Sequence, residues 1–167
     1  MFEENVADTD GGGLYLTGGL VSRCSVLGNR ANRGAGVFVA GRSTIANTTI
    51  IENAARLRST RYRDYPAEGG GLYNAARLML FNATVVGNSA TAGSGGGIAG
   101  GANTSNGGSW GGYASYAEPM LVNTIVSENA DGNCACPIAD AGNNIQHPGT
   151  DCGETMPSVD PILGDLD

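Results

Sequence analysis

Val26-Leu27-Gly28-Asn29-Arg30-Ala31, followed shortly by Gly34-Ala35-Gly36-Val37-Phe38, is the stretch that decides how this chain folds. Its first half sets an apolar residue three positions ahead of an asparagine. The same pattern recurs as Phe2-x-x-Asn5, Ile50-x-x-Asn53, Val85-x-x-Asn88 and Val126-x-x-Asn129, with alanine behind the asparagine at Ala7, Ala31, Ala54, Ala90 and Ala130. Its second half, a glycine cluster running into apolar residues, recurs as Gly11-Gly12-Gly13-Leu14-Tyr15, Gly69-Gly70-Gly71-Leu72-Tyr73 and Gly95-Gly96-Gly97-Ile98. Successive asparagines stand 24, 24, 35 and 41 residues apart, so a 24-residue unit is lengthened twice, by 11 and by 17 residues. A fixed period with extra length confined to two places describes a stacked scaffold carrying two loops.

Aligned on the asparagine, the units form columns. Val21, Ile45, Leu80 and Leu121 stand eight positions before it, and Val26, Ile50, Val85 and Val126 three before it. Arg23, Asn47, Asn82 and Asn123 stand six before it, a second polar column beside that of Asn5, Asn29, Asn53, Asn88 and Asn129. Amides stacked one strand spacing apart can hydrogen-bond along a ladder. The apolar runs are four to six residues long with no helical periodicity, and a 24-residue unit is too short for a strand-helix-strand crossover. Glycine supplies corners where the backbone must turn left-handed or approach a neighbour, and its 28 occurrences against 6 prolines lie in register, unlike a flexible linker. These features predict an all-β chain: a right-handed, single-stranded parallel β-helix, or β-solenoid, of about five coils of 24 residues. The coils occupy residues 1–133, with insertions near 56–68 and 102–119, and residues 134–167 form a closing segment.

The formal charge is −7, with nine basic residues that are all arginine, which removes the footprint expected of a nucleic-acid binder. No run approaches the ~18 consecutive apolar residues of a transmembrane helix. The first residues also lack the basic-then-apolar layout of a signal peptide, so an exported form would carry its signal elsewhere or have lost it.

The paired Phe-x-x-Asn and Gly-Gly-(Ala/Leu)-(Ile/Tyr) signatures resemble those of polymorphic outer-membrane protein repeats and related pectate-lyase-like β-helix domains of bacterial surface proteins. Asn133-Cys134, Gly142-Asn143-Asn144-Ile145, Cys152 and Asp160-Pro161-Ile162-Leu163-Gly164 resemble the segment that closes such helices. The resemblance implies a right-handed helix, a secreted or cell-surface bacterial location and a non-catalytic role. It further implies a fragment of a larger protein or a short member of the group.

Four cysteines are present. Cys24 shares a column with Thr48, Ala83 and Thr124, the place of a small buried residue. Cys134 or Cys136 with Cys152 would close a loop of 16 to 18 residues, a staple of about 3 kcal/mol in the chain-entropy model. The relatives' Asn-Cys signature favours Cys134. The competing use of Cys134, Cys136, His147 and Cys152 as a zinc site suffers from a Cys-x-Cys spacing that structural zinc sites do not usually have, so no metal is expected. His147 is the single histidine and no nucleophile motif accompanies it. Carboxylates offer no common column for acid-base work, since Glu52, Asp64, Glu68, Glu118 and Glu128 are scattered between Asn29 and Asn129. The motifs of polygalacturonase-like enzymes are missing, and no motif asks for a cofactor. A non-enzyme is therefore expected, with a polysaccharide lyase or hydrolase of the same fold as the rival.

The insertions hold the remaining chemistry. The first gathers Arg56, Arg58, Arg61 and Arg63 with Tyr62 and Tyr65. The second carries Trp110, Tyr113 and Tyr116 among Ser, Gly and Asn. Positive charge and flat apolar rings suit a cell-surface glycan or protein, and the expected role is adhesion or binding. Stacking of like chains through open end coils, as in an extracellular filament or sheath, is the alternative.

Overall fold

The computed structural model describes residues 1–100 and 118–164. β1 (Phe2–Glu3) stands ahead of the first full repeat, which contributes β2 (Leu14–Leu16), β3 (Gly19–Ser22), β4 (Ser25–Leu27) and β5 (Arg30–Ala31). The second contributes β6 (Val37–Val39), β7 (Ser43–Ala46), β8 (Thr49–Ile51) and β9 (Ala54–Arg56), followed by β10 (Arg58–Ser59) and β11 (Asp64–Tyr65) in the first insertion. The third contributes β12 (Leu72–Asn74), β13 (Leu78–Phe81), β14 (Thr84–Val86) and β15 (Ser89–Thr91). Beyond it lie β16 (Ile98–Gly100), β17 (Met120–Val122), β18 (Ile125–Ser127), β19 (Ala139–Asp140) and β20 (Ile145–His147).

The described residues contain strands and turns and no helix. The repeats visit the same sheets in the same order. One sheet runs β1-β4-β8-β14-β18-β20, a second β2-β6-β12-β16, a third β3-β7-β13-β17-β19 and a fourth β5-β9-β15. All pairings within these four sheets are parallel, and the β10–β11 hairpin is antiparallel.

Parallel, in-register pairing sets like residues over like residues. Val26, Ile50, Val85 and Val126 form one column and Val21, Ile45, Leu80 and Leu121 another. With Val37, Leu72 and Ile98 they make the main apolar core, buried throughout except at the half-buried Val21. A second, smaller core is built of alanines, and here one position differs from the sequence expectation. Ala55, and not Ala54, stacks under Ala31 and Ala90, because Ala54 pairs with Arg30 and Ser89. Ala130 is exposed and lies outside that stack.

Two corners are left-handed throughout. Arg23, Asn47, Asn82, Asn123 and Asn143 have φ between 48° and 57°. Asparagine tolerates this region better than other non-glycine residues, which explains its recurrence there. The other corner alternates Glu4, Gly28, Glu52, Gly87 and Glu128, all at φ between 53° and 64°. Three carboxylates thus do share a column, contrary to the sequence reading. Their separation by glycine keeps like charges off adjacent rungs, where they would repel.

The asparagine column is continuous. The backbone N and Nδ2 of Asn5 donate to Oδ1 of Asn29 at 2.9 and 3.0 Å, and those of Asn29 to Asn53, both at 2.9 Å. The same pair of bonds joins Asn53 to Asn88, both at 2.9 Å, and Asn88 to Asn129 at 3.0 and 2.9 Å. Asn133 then takes the last rung, only four residues on, accepting from Asn129 N and Nδ2. Its own Nδ2 donates to the carbonyls of His147 and Pro148, ending the ladder within the closing segment. Each ladder amide is satisfied, as a buried polar row must be.

The closing segment lies over the last repeat. Cys134 follows Ile98 in the core column and is bonded to Cys152, 18 residues away, with Met156 buried beside them. Gln146 Nε2 donates to the carbonyls of Gly153 and Met156, while its Oε1 accepts from Cys152 N.

Candidate functional site

The first insertion is an ordered projection. Arg58 faces Tyr65 and Ser59 faces Asp64 across the β10–β11 hairpin. Thr60 makes the turn: its Oγ1 donates to the Arg63 carbonyl at 2.8 Å and accepts from Arg63 N at 3.1 Å. A hydroxyl substituting for a backbone turn bond fixes the tip locally. The base is fixed by Asn32, a buried residue of the preceding repeat, whose Nδ2 lies within 2.8 to 3.1 Å of the carbonyls of Arg56, Tyr65 and Pro66.

The insertion residues singled out in the sequence are brought together here. The Cζ atoms of Arg58 and Arg63 each lie 5.2 Å from the Tyr65 ring centroid, and that of Arg61 lies 6.0 Å from Tyr62. Tyr62 is 89 % exposed at the tip. Arg56 ends β9 at the foot of the hairpin, and its side chain is exposed. The hairpin's single carboxylate, Asp64, forms no ion pair, so the guanidiniums stack on a ring and keep their hydrogen-bond donors for an outside acceptor. Trp110, Tyr113 and Tyr116 lie outside the described residues.

A second cluster was not foreseen from the sequence. Tyr15, Phe38 and Tyr73 occupy one register position of β2, β6 and β12 and stack with centroids 5.1 and 5.3 Å apart. Arg33 sets its Cζ 5.2 Å from both the Phe38 and the Tyr73 ring. Its Nε and Nη2 donate to Asp10 at 2.8 and 2.9 Å, the sole ion pair among the described residues. Burial alone would lower the Arg33 pKa, but the bond to Asp10 and its charge outweigh it and the net shift is upward. Burial raises the Glu68 carboxyl above its ordinary value against the pull of Arg33, and likewise raises the Tyr73 phenol. The signal lay in the period of two: the residue after each inward Leu14, Val37 and Leu72 must point outward. This cluster is internally paired and reads as a brace between repeats.

The cysteines and histidine separate. Cys134 is consumed by the disulfide, which takes it and Cys152 out of the zinc set considered from the sequence. Cys136 is a free thiol pushed up to about 12, first by burial and then by Glu118. Cys24 is half-buried, and its thiol donates to the Ser22 carbonyl as Thr48 and Thr124 do to Ala46 and Val122. His147 faces Ser127 across β18 and β20, and neither Nδ1 nor Oγ has a hydrogen-bond partner. No carboxylate is bonded to the imidazole, so the pair lacks the orienting group that an activated serine needs. Among the described residues no cluster of three or more His, Cys, Asp or Glu could hold a metal ion, and no helix is long and apolar enough to cross a membrane. Compared with protein families, curated proteins and solved structures, the chain finds no match in any of the three.

Proposed function

We propose that the chain is a right-handed, single-stranded parallel β-helix of about five coils, secreted or displayed on a bacterial surface. In this reading it is a non-catalytic adhesion or binding module. The hairpin carries the proposal: an acidic chain of net −7 spends three of its nine arginines on eight residues, held at the base by a buried asparagine. Guanidiniums stacked on Tyr65 with no carboxylate partner are preorganised for an anionic glycan or an acidic protein patch, and the exposed Tyr62 adds a ring at the tip.

The stacking alternative draws on the outer edges of β1, β2 and β3, which pair with no further strand among the described residues. The opposite end is folded over by the disulfide-linked closing segment. A covered end of this kind favours binding over stacking as the reading.

Deleting residues 57–67 tests it, with binding read against acidic and neutral glycans, acidic proteins and bacterial cells. Loss of binding to acidic ligands with the fold retained by circular dichroism supports the proposal, whereas intact binding refutes it.

A further inference from the structure

A groove on the outer face of the β3-β7-β13 sheet belongs to none of these features. It has a volume of about 490 Å³ and is lined by Leu20, Arg42, Thr44, Arg77 and Met79. Arg42 and Arg77 precede β7 and β13 at the same register position, since Ser43 pairs with Leu78. They stand one rung apart, a spacing of about 4.8 Å between neighbouring strands. Neither forms an ion pair or any other side-chain bond. The nearby carboxylate of Glu118, just ahead of β17, approaches neither guanidinium within 4.0 Å.

Like charges side by side on a sheet repel, and in the parallel sheets the glutamate column is interrupted by glycines and Arg33 is paired with Asp10. Two adjacent uncompensated arginines therefore mark a place for a carboxylate supplied from outside. The floor beside them is aliphatic. Leu20 is 69 % exposed, and Met79, next to it but one along the register, has the flexible thioether common on peptide-binding surfaces. Among the described residues no aromatic ring lines the groove, and its surface fits apolar side chains.

We infer that this groove is a second binding site, separate from the hairpin, and that it takes an extended protein segment carrying acidic and aliphatic residues two positions apart, on one face. The Arg42–Arg77 pair grips the carboxylate while Leu20 and Met79 seat the aliphatic side chain: residues two apart in an extended segment reach the same face, and the arginines lie two positions before Thr44 and Met79.

Fluorescence anisotropy on the full chain tests this with three labelled octapeptides that carry serine at every second residue and, on the face between, alternate leucine with glutamate, leucine with glutamine, or serine with glutamate. The leucine–glutamate peptide is expected to bind at least tenfold more tightly than the other two. Arg42→Gln with Arg77→Gln should remove that preference, and deletion of 57–67 should leave it intact, which separates this site from the hairpin. Equal binding of the serine–glutamate peptide, or unchanged binding by the double variant, overturns the inference. So does competition by an oligosaccharide rich in glucuronate at lower concentration than the peptide, which would make the groove a glycan site.

Discussion

Gly36 lies directly against Asn53, the next ladder amide along the chain: a Cβ placed on Gly36 would sit 3.0 Å from both Cγ and Nδ2 of that side chain. The same fit recurs at Gly71, where a Cβ would stand 3.0 Å from Asn88 Nδ2 and 2.7 Å from the Gly97 carbonyl, and at Gly97, 2.8 Å from Asn129 Nδ2. The two repeated signatures are thus halves of one device, a glycine that makes room for the next ladder amide. Gly71→Ala should cost about 1–3 kcal/mol as overpacking, read as a lowered urea midpoint. A surface control such as Ala75→Ser should leave the midpoint in place.

The ladder was legible because parallel pairing in register returns the same residue to the same place. Ile50 over Val26 needs no structural knowledge beyond the 24-residue spacing. What stayed hidden has physical causes. Ala54 and Ala55 are adjacent and identical, so only the pairing of Ala31 with Ala55 separates the lining residue from its neighbour. Glu4, Glu52 and Glu128 went unseen as a column because glycines stand between them. Asn133 escaped the ladder because it sits four residues from Asn129, far from any 24-residue multiple. Arg33 meets Asp10 and the rings of Phe38 and Tyr73 across repeats, and no local motif announces such a brace. In the hairpin, the arginines and tyrosines could be named from composition, but Asn32 as their anchor could not.

The core columns allow no charge. Ile50 and Val85 are fully buried one above the other, so Ile50→Asp or Val85→Asp leaves an unpaired carboxylate in the apolar core. At a cost of several kcal/mol for such a group, each variant should be unfolded at room temperature by circular dichroism. A variant that melts like the parent would show the columns to be misaligned.

The thiols differ in availability. Cys152→Ser should destabilise the chain by about 3 kcal/mol in the loop-closure account, measured by denaturant titration without reductant. The Cys136 thiol, pushed up to about 12 by burial and then by Glu118, stays protonated in the fold at pH 8. Iodoacetamide should leave it unmodified until the protein is unfolded. Its folded value lies above its unfolded value, so its contribution to stability is fully present below pH 9.0 and is lost as pH rises toward about 12. Rapid native alkylation of Cys136 would contradict the burial assigned to it.

Glu68 makes a prediction of opposite convenience, in mild acid. Burial raises its carboxyl above the ordinary 4.5 despite Arg33, so the folded state holds the proton more tightly than the unfolded chain. The associated stability is complete below pH 4.5 and declines as pH rises through the folded value. Glu68→Gln should therefore melt slightly above the parent at pH 7, with the advantage vanishing near pH 4. An advantage that is constant with pH would mean that the carboxyl does not titrate as its surroundings dictate.

The central claim is that the hairpin presents its arginines to an anionic partner. Its most direct test is the binding isotherm of a sulfated oligosaccharide with the parent chain and with Arg58→Ala/Arg63→Ala, at about 50 and 200 mM salt, where screening lengths differ by roughly twofold. The parent should bind and weaken as salt rises, and the double variant should bind at least tenfold more weakly at low salt while melting unchanged. Equal isotherms for the two proteins, or no binding by the parent at either salt, would contradict the account.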